Sequence, residues 1–120
     1  MRISILGAGY VGLVSGLCLT EKGHSVTCVE KNNEIIDLIK NKEPPFYEPG
    51  LQKLLKKYYG KKFFITSCSH EAINNSDITF IAVGTPTRNG KIDLRYVKQA
   101  AKDIGISIKS KEKYHLIIVK

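Results

Sequence analysis

Gly7, Gly9 and Gly12 form G-x-G-x-x-G within ILGAGYVGLVSGLC, residues 5–18, and Glu30 follows eighteen residues after the last of them. These residue types at this spacing suit recognition of a pyrophosphate by backbone and of a ribose by carboxylate. The first glycine permits a tight turn, the second lets a phosphate approach the main chain, and the third lets a following helix pack close to the preceding strand. Amide N–H groups at the start of that helix then face the anion, at the positive end of the helix dipole. A carboxylate at position 30 accepts both hydroxyls of an adenosine ribose and repels a 2′-phosphate, so the pattern reads as a dinucleotide site favouring NAD over NADP. Lys31 tempers that preference slightly, and FAD enzymes carry the same fingerprint.

Such a site needs a strand before the glycines, a helix after them and a second strand that delivers Glu30. Arg2 to Leu6 is β-rich, residues 11–21 carry Leu13, Val14, Leu17 and Cys18 at helical spacing, and Ser25 to Glu30 reads as a strand. Lys22-Gly23 is a helix stop. Asn33 is expected to cap a helix bearing Ile35, Ile36, Leu38 and Ile39, and the prolines of EPPFYEPG, residues 43–50, impose a rigid loop. Leu51, Leu54, Leu55 and Tyr58 form the stripe of a further helix. Phe63 to Thr66 reads as a strand, Ser69 to Asn74 as a short helix, and Ile78 to Val83 as a strand buried on both faces.

Residues 84–90 form a loop closed by an Asn-Gly turn signal. Asp93 is expected to cap a long helix with Leu94, Val97, Ala101, Ile104 and Ile108 on one face, and His115 to Val119 is a final strand. This alternation predicts an α/β fold, a Rossmann-type doubly wound, mostly parallel sheet with helices on both faces. A last strand with no element after it implies an exposed sheet edge. Residues 1–120 are therefore expected to be one incomplete N-terminal domain, truncated from a longer chain.

Composition narrows the function classes. With 42% apolar and 25% charged residues the chain reads as an ordinary globular domain. The net charge of +8 comes from dispersed lysines without interleaved aromatics, which argues against nucleic-acid binding. Cys18, Cys28 and Cys68 form no CxxC and have no His at zinc-ligand spacing, so neither a disulfide framework nor a metal site is expected; they read as small buried residues. The chain opens on a strand, without the charged and apolar regions of a signal peptide, and no run approaches a membrane span. A cytoplasmic location is expected. His24, His70 and His115 are isolated in sequence and are given no chemical role.

GAGYVGLVSG (7–16), GHSVTCVE (23–30), PPFYEPGL (44–51), SDITFIAVGTPT (76–87) and GKIDLRYV (90–97) together resemble the UDP-glucose/GDP-mannose dehydrogenase family, most closely its UDP-glucose-oxidising members. The resemblance spans nearly the whole chain in family order. It implies that Gly7, Gly9, Tyr10, Val11 and Gly12 line the NAD pyrophosphate, that Glu30, in place of the family's usual Asp, holds the adenine ribose, and that Val83, Gly84, Thr85 and Pro86 lie on the nicotinamide side. Where the family has a cation near the adenosine this chain has Ile35, for which Lys31 is the available substitute. The family's Asp before the fourth helix is Cys68, which leaves Ser67 or Ser69 to cap it.

The resemblance further implies oxidation of UDP-glucose to UDP-glucuronate with two NAD. The nucleophilic cysteine and most sugar-nucleotide contacts would lie beyond residue 120, so no catalytic residue falls within this chain and the piece alone would be inactive. The complete protein is implied to be a homo-oligomer. Dehydrogenases acting on GDP-mannose or UDP-N-acetylmannosamine, and a non-catalytic nucleotide-binding module, are the alternatives.

Overall fold

In the computed structural model, which describes residues 1–120, β1 (Arg2–Leu6) is covered on both faces: Ile3, Ile5 and Leu6 are buried, and Ser4 is fully enclosed. A strand so placed must be central. The chain continues through α1 (Tyr10–Glu21), β2 (Ser25–Val29), α2 (Asn33–Lys40), α3 (Leu51–Tyr58), β3 (Phe63–Thr66), α4 (Ser69–Asn74) and β4 (Ile78–Ile81). It then forms a small hairpin, β5 (Thr87–Arg88) with β6 (Lys91–Ile92), followed by α5 (Arg95–Ile108) and β7 (Leu116–Val119). The main sheet is wholly parallel in the order β3-β2-β1-β4-β7, with Ile3 opposite Val26 on one side and Ile78 on the other. After β3 the chain crosses β1 to lay down β4, which leaves a topological switch point at the carboxyl ends of β1 and β4.

Two layers bury the sheet. On one face Leu13 and Leu17 of α1, Ile36 and Ile39 of α2, and Leu51 and Leu55 of α3 pack with Ile5, Val26, Cys28 and Phe63. On the other, Ala72 and Ile73 of α4 and Ala100 and Ile104 of α5 pack with Leu6, Val29 and Ile81. A fourth glycine sets the first interface: a Cβ on Gly16 would stand 3.1 Å from the Phe63 ring and 3.2 Å from Ile5. No helix is long and apolar enough to cross a membrane.

Several local expectations shift. The cap of α2 is Asn32, whose side chain accepts from the Glu34 amide, one residue before the expected Asn33. Neither Ser67 nor Ser69 caps α4; Cys68 holds the cap position with no side-chain bond, and the Ser69 hydroxyl donates to Asp103 instead. Cys28 is buried as expected, but Cys18 and Cys68 are exposed. The loop at 84–90 contains half a hairpin, because Asn89 and Gly90 both take positive φ (51° and 72°), the geometry that joins two antiparallel strands most tightly. Leu94, exposed, holds the cap position of α5 in place of the expected Asp93, whose carboxylate accepts from the Arg95 amide; within the helix Ala100, Ile104 and Ser107 are buried and Ala101 is exposed, since the helix leans on α4 as well as on the sheet.

His115, isolated in sequence, closes a polar chain beneath the sheet. Lys111 Nζ lies 3.0 Å from His115 Nδ1, His115 Nε2 lies 2.8 Å from Thr79 Oγ1, and Thr79 Oγ1 lies 2.7 Å from Ser4 Oγ, which bonds Ser76 Oγ at 2.9 Å. An ammonium can only donate, so His115 Nδ1 accepts, Nε2 carries the proton to Thr79, and the Thr79 hydroxyl donates onward to Ser4. The neutral ring is required. Burial first, then the Lys111 charge, hold the His115 pKa below its ordinary 6.5, against opposing contributions from the Ser76 carbonyl and Asp77.

A lowered histidine pKa in the folded state means that the unfolded chain binds the proton first. Stability from this group is complete above about pH 6.5 and is lost as pH falls through that value toward the folded pKa. His115→Gln can still donate to Thr79 but cannot titrate. Thermal unfolding followed by circular dichroism from pH 7.5 to 5 should show a smaller acid-induced drop in Tm for this variant than for the parent chain; equal slopes would contradict the lowered His115 pKa.

Candidate functional site

The carboxyl ends of β1, β2 and β4 open into a cleft of about 430 Å³. Gly7, which follows β1, takes φ +104° and donates its amide to the Val29 carbonyl at 2.8 Å; a Cβ there would stand 2.6 Å from the Ala82 carbonyl oxygen. A Cβ on Gly12 would overlap the Gly7 carbonyl itself. Both glycines are thus demanded by the protein's own packing. Gly9 differs: its φ of −72° is open to any residue, and nothing lies within 4 Å of where its Cβ would be, although it lines the cleft. Gly84 on the opposite lip also faces open space.

The first intrahelical bond of α1 runs from the Leu13 amide to the Gly9 carbonyl at 2.9 Å. The amides of Tyr10, Val11 and Gly12 precede it and have no acceptor four residues back, so α1 begins with free donors beside the glycine turn. Together with the unexplained glycine at position 9, this arrangement fits a pyrophosphate.

Glu30 is fastened where β2 meets the cleft. Its Oε2 accepts from the Ala8 amide at 3.1 Å, and its Oε1 from the amides of Lys31 at 2.8 Å and Asn32 at 3.0 Å. The longer glutamate chain therefore reaches back to the glycine turn and is held rigid, with acceptor capacity remaining on Oε2. Lys31 lines the same cleft, but its Nζ is occupied by the Ser67 carbonyl at 2.9 Å.

Of the residues expected at the site, Gly7, Gly9, Glu30, Lys31, Val83 and Gly84 line the cleft together. Gly12 lies buried behind the turn, Val11 is exposed, and Thr85 and Pro86 project past the lip toward the hairpin. The Tyr10 side chain turns away: its hydroxyl donates to Glu48 Oε2 at 2.7 Å and its ring centroid lies 5.1 Å from that of Phe46, tying α1 to the proline-rich loop. The neighbouring carboxylate raises the Tyr10 pKa.

The cleft also holds residues that sequence reasoning missed. Tyr96, Gln99, Ala100 and Asp103 of α5 and Ser69 of α4 form its remaining side. Their spacing at i, i+3, i+4 and i+7 is a helical face, a signal available in the sequence but masked by the adjoining apolar residues. Asp103 Oδ2 accepts from Ser69 Oγ at 3.0 Å and its Oδ1 from Gln99 Nε2 at 2.8 Å. No group of three or more His, Cys, Asp or Glu is arranged to hold a metal ion.

A parallel sheet in this order, with a glycine turn and a strand-end carboxylate at its switch point, defines a Rossmann-type dinucleotide-binding domain. The chain belongs to the UDP-glucose/GDP-mannose dehydrogenase family, whose NAD binding domain matches residues 1–120, and its cofactor is NAD. It is 40% identical over 124 residues to a GDP-mannose 6-dehydrogenase of Pseudomonas aeruginosa, an alignment covering all of this chain and 28% of that protein. It is 46% identical over 106 residues to the UDP-glucose 6-dehydrogenase TuaD of Bacillus subtilis, covering 87% of this chain and 23% of that one. Among solved structures, a ternary complex of the Pseudomonas aeruginosa GDP-mannose dehydrogenase superposes with a TM-score of 0.93 at 41% identity, over 99% of this chain and 28% of that one. A UDP-glucose dehydrogenase from Pyrobaculum islandicum does so with a TM-score of 0.89 at 38% identity, over 98% and 28% respectively. The chain thus spans between 23% and 28% of the length of these relatives.

The glycines separate by what each would cost. Gly12→Ala, forced against the Gly7 carbonyl, should lower the unfolding free energy by about 2–3 kcal/mol in urea titrations. Gly9→Ser, which supplies a favoured N-cap residue in open space, should stay within about 0.5 kcal/mol of the parent. A stability loss at position 9 as large as that at 12 would show that the space there is needed by the protein rather than by a ligand.

Proposed function

We propose that this chain is the NAD-binding portion of a nucleotide-sugar 6-dehydrogenase, with the dinucleotide crossing the switch point between Gly9 and Gly84. In this reading the pyrophosphate rests on Gly7, Gly9 and the amides of Tyr10, Val11 and Gly12; the Tyr10 side chain serves only to brace the proline-rich loop. Glu30 accepts the ribose hydroxyls, Lys31 steadies the cleft wall through Ser67, and Val83, Gly84, Thr85 and Pro86 follow the nicotinamide half. When bound, NAD supplies the hydride acceptor; this chain's residues bind and orient it. The observation that carries the reading is Gly9, a glycine that neither backbone strain nor packing explains, at the foot of a helix with free amides.

For the complete protein, UDP-glucose is the substrate we propose, oxidised to UDP-glucuronate by residues outside this chain, in a homo-oligomer. Support comes from the Phe46-Tyr47-Glu48 sequence and from the similarity to TuaD. GDP-mannose is the second reading, favoured by GDP-mannose dehydrogenases that match this chain along its full length. Assay of the complete protein with each sugar nucleotide separates them.

Fluorescence titration with NADH and NADPH tests the cofactor site. Saturable NADH binding at least about tenfold tighter than NADPH is expected, because a carboxylate pinned by three amides cannot withdraw from a 2′-phosphate. Glu30→Gln should weaken NADH by about tenfold while narrowing the gap to NADPH. Equal affinity for the two cofactors would remove Glu30 from the ribose.

A further inference from the structure

The side of the cleft formed by α4 and α5 presents a second carboxylate. Asp103 is held by Ser69 and Gln99, one donor on each oxygen, and each oxygen retains a lone pair for a further donor. The only cation lining the cleft, Lys31, spends one of its three N–H donors on the Ser67 carbonyl. A ligand entering this space meets two fixed carboxylates with unused lone pairs, so one that carries hydrogen-bond donors suits both.

Adenosine has few such donors. Its two ribose hydroxyls and its exocyclic 6-amino group donate, whereas its ring nitrogens only accept. With the hydroxyls directed to Glu30 at the end of β2, the amino group is the donor left for the α5 side, two turns along that helix from Tyr96. We propose that Asp103, oriented by Ser69 and Gln99, reads the 6-amino group of the adenine and so selects the purine of the cofactor. This inference rests on the cleft being the dinucleotide site.

The probe is reduced nicotinamide hypoxanthine dinucleotide, in which a carbonyl oxygen replaces the amino group, titrated in parallel with NADH against the parent protein and Asp103→Asn. The parent should bind NADH about tenfold more tightly than the hypoxanthine analogue, the difference made by one hydrogen bond to a charged acceptor. Asp103→Asn preserves shape and offers a donor as well as an acceptor, so the ratio should fall to about threefold or less. A general loosening of α5 would weaken both ligands alike and leave the ratio unchanged, which is why the ratio is the readout. An unaltered ratio in the variant, or equal binding of both ligands by the parent, overturns the role of Asp103 while leaving the dinucleotide site standing. Absence of saturable NADH binding by the folded parent overturns the site reading and this inference with it.

Discussion

The whole arrangement hangs on the contact between the end of β1 and the start of α1. Gly7 turns the chain with φ +104° against the Ala82 carbonyl, and Gly12 leaves room for the Gly7 carbonyl where any side chain would collide. A strand and a helix can approach this closely only if neither carries a Cβ at the crossing. From that approach follow the direction of α1, the position of its unpaired amides, and the lip that Ala82 to Gly84 forms over them.

Charge completes what the turn begins. The amides of Ala8, Lys31 and Asn32 converge on Glu30, so the carboxylate is stabilised by hydrogen bonds at the same time as it is immobilised. Asp103 is treated similarly by Ser69 and Gln99 on the other layer. One carboxylate belongs to the layer of α1 and the other to that of α5, and the sheet between them brings both to the same opening. A basic chain overall therefore has a cleft that offers acceptors at Glu30 and Asp103 and amide donors at the start of α1, so net charge carries no information about this ligand.

At the amino ends of the strands, a different logic applies. Ser4 and Thr79 face each other across β1 and β4 in a fully buried position, and burial is tolerable only because each hydroxyl has a partner. His115 and Lys111 extend the chain of donors from the turn before β7. Lys111 also donates to the carbonyls of Ile73 and Ser76, just where α4 ends, so one ammonium ties three segments together.

Much of this was legible in the residues alone. The periodicity of the apolar side chains located every helix and every strand of the main sheet, and the glycine spacing with Glu30 located the turn that lines the cleft, because those signals are local: they report which backbone conformations and which faces a segment can adopt. The Asn-Gly pair announced a turn but not its strands, which are only two residues each. What lay beyond local reading were the pairings. That Gly9 faces empty space while Gly12 faces a carbonyl, that Tyr10 turns to Glu48, and that Lys31 is already engaged by Ser67 depend on atoms 36 to 38 residues apart or on the separation of α1 from the sheet. The sequence by itself determined the order of elements and the class of ligand; only the tertiary structure decided which polar side chains reach the cleft, because α4 and α5 acquire their facing residues when both pack on a sheet assembled from distant strands.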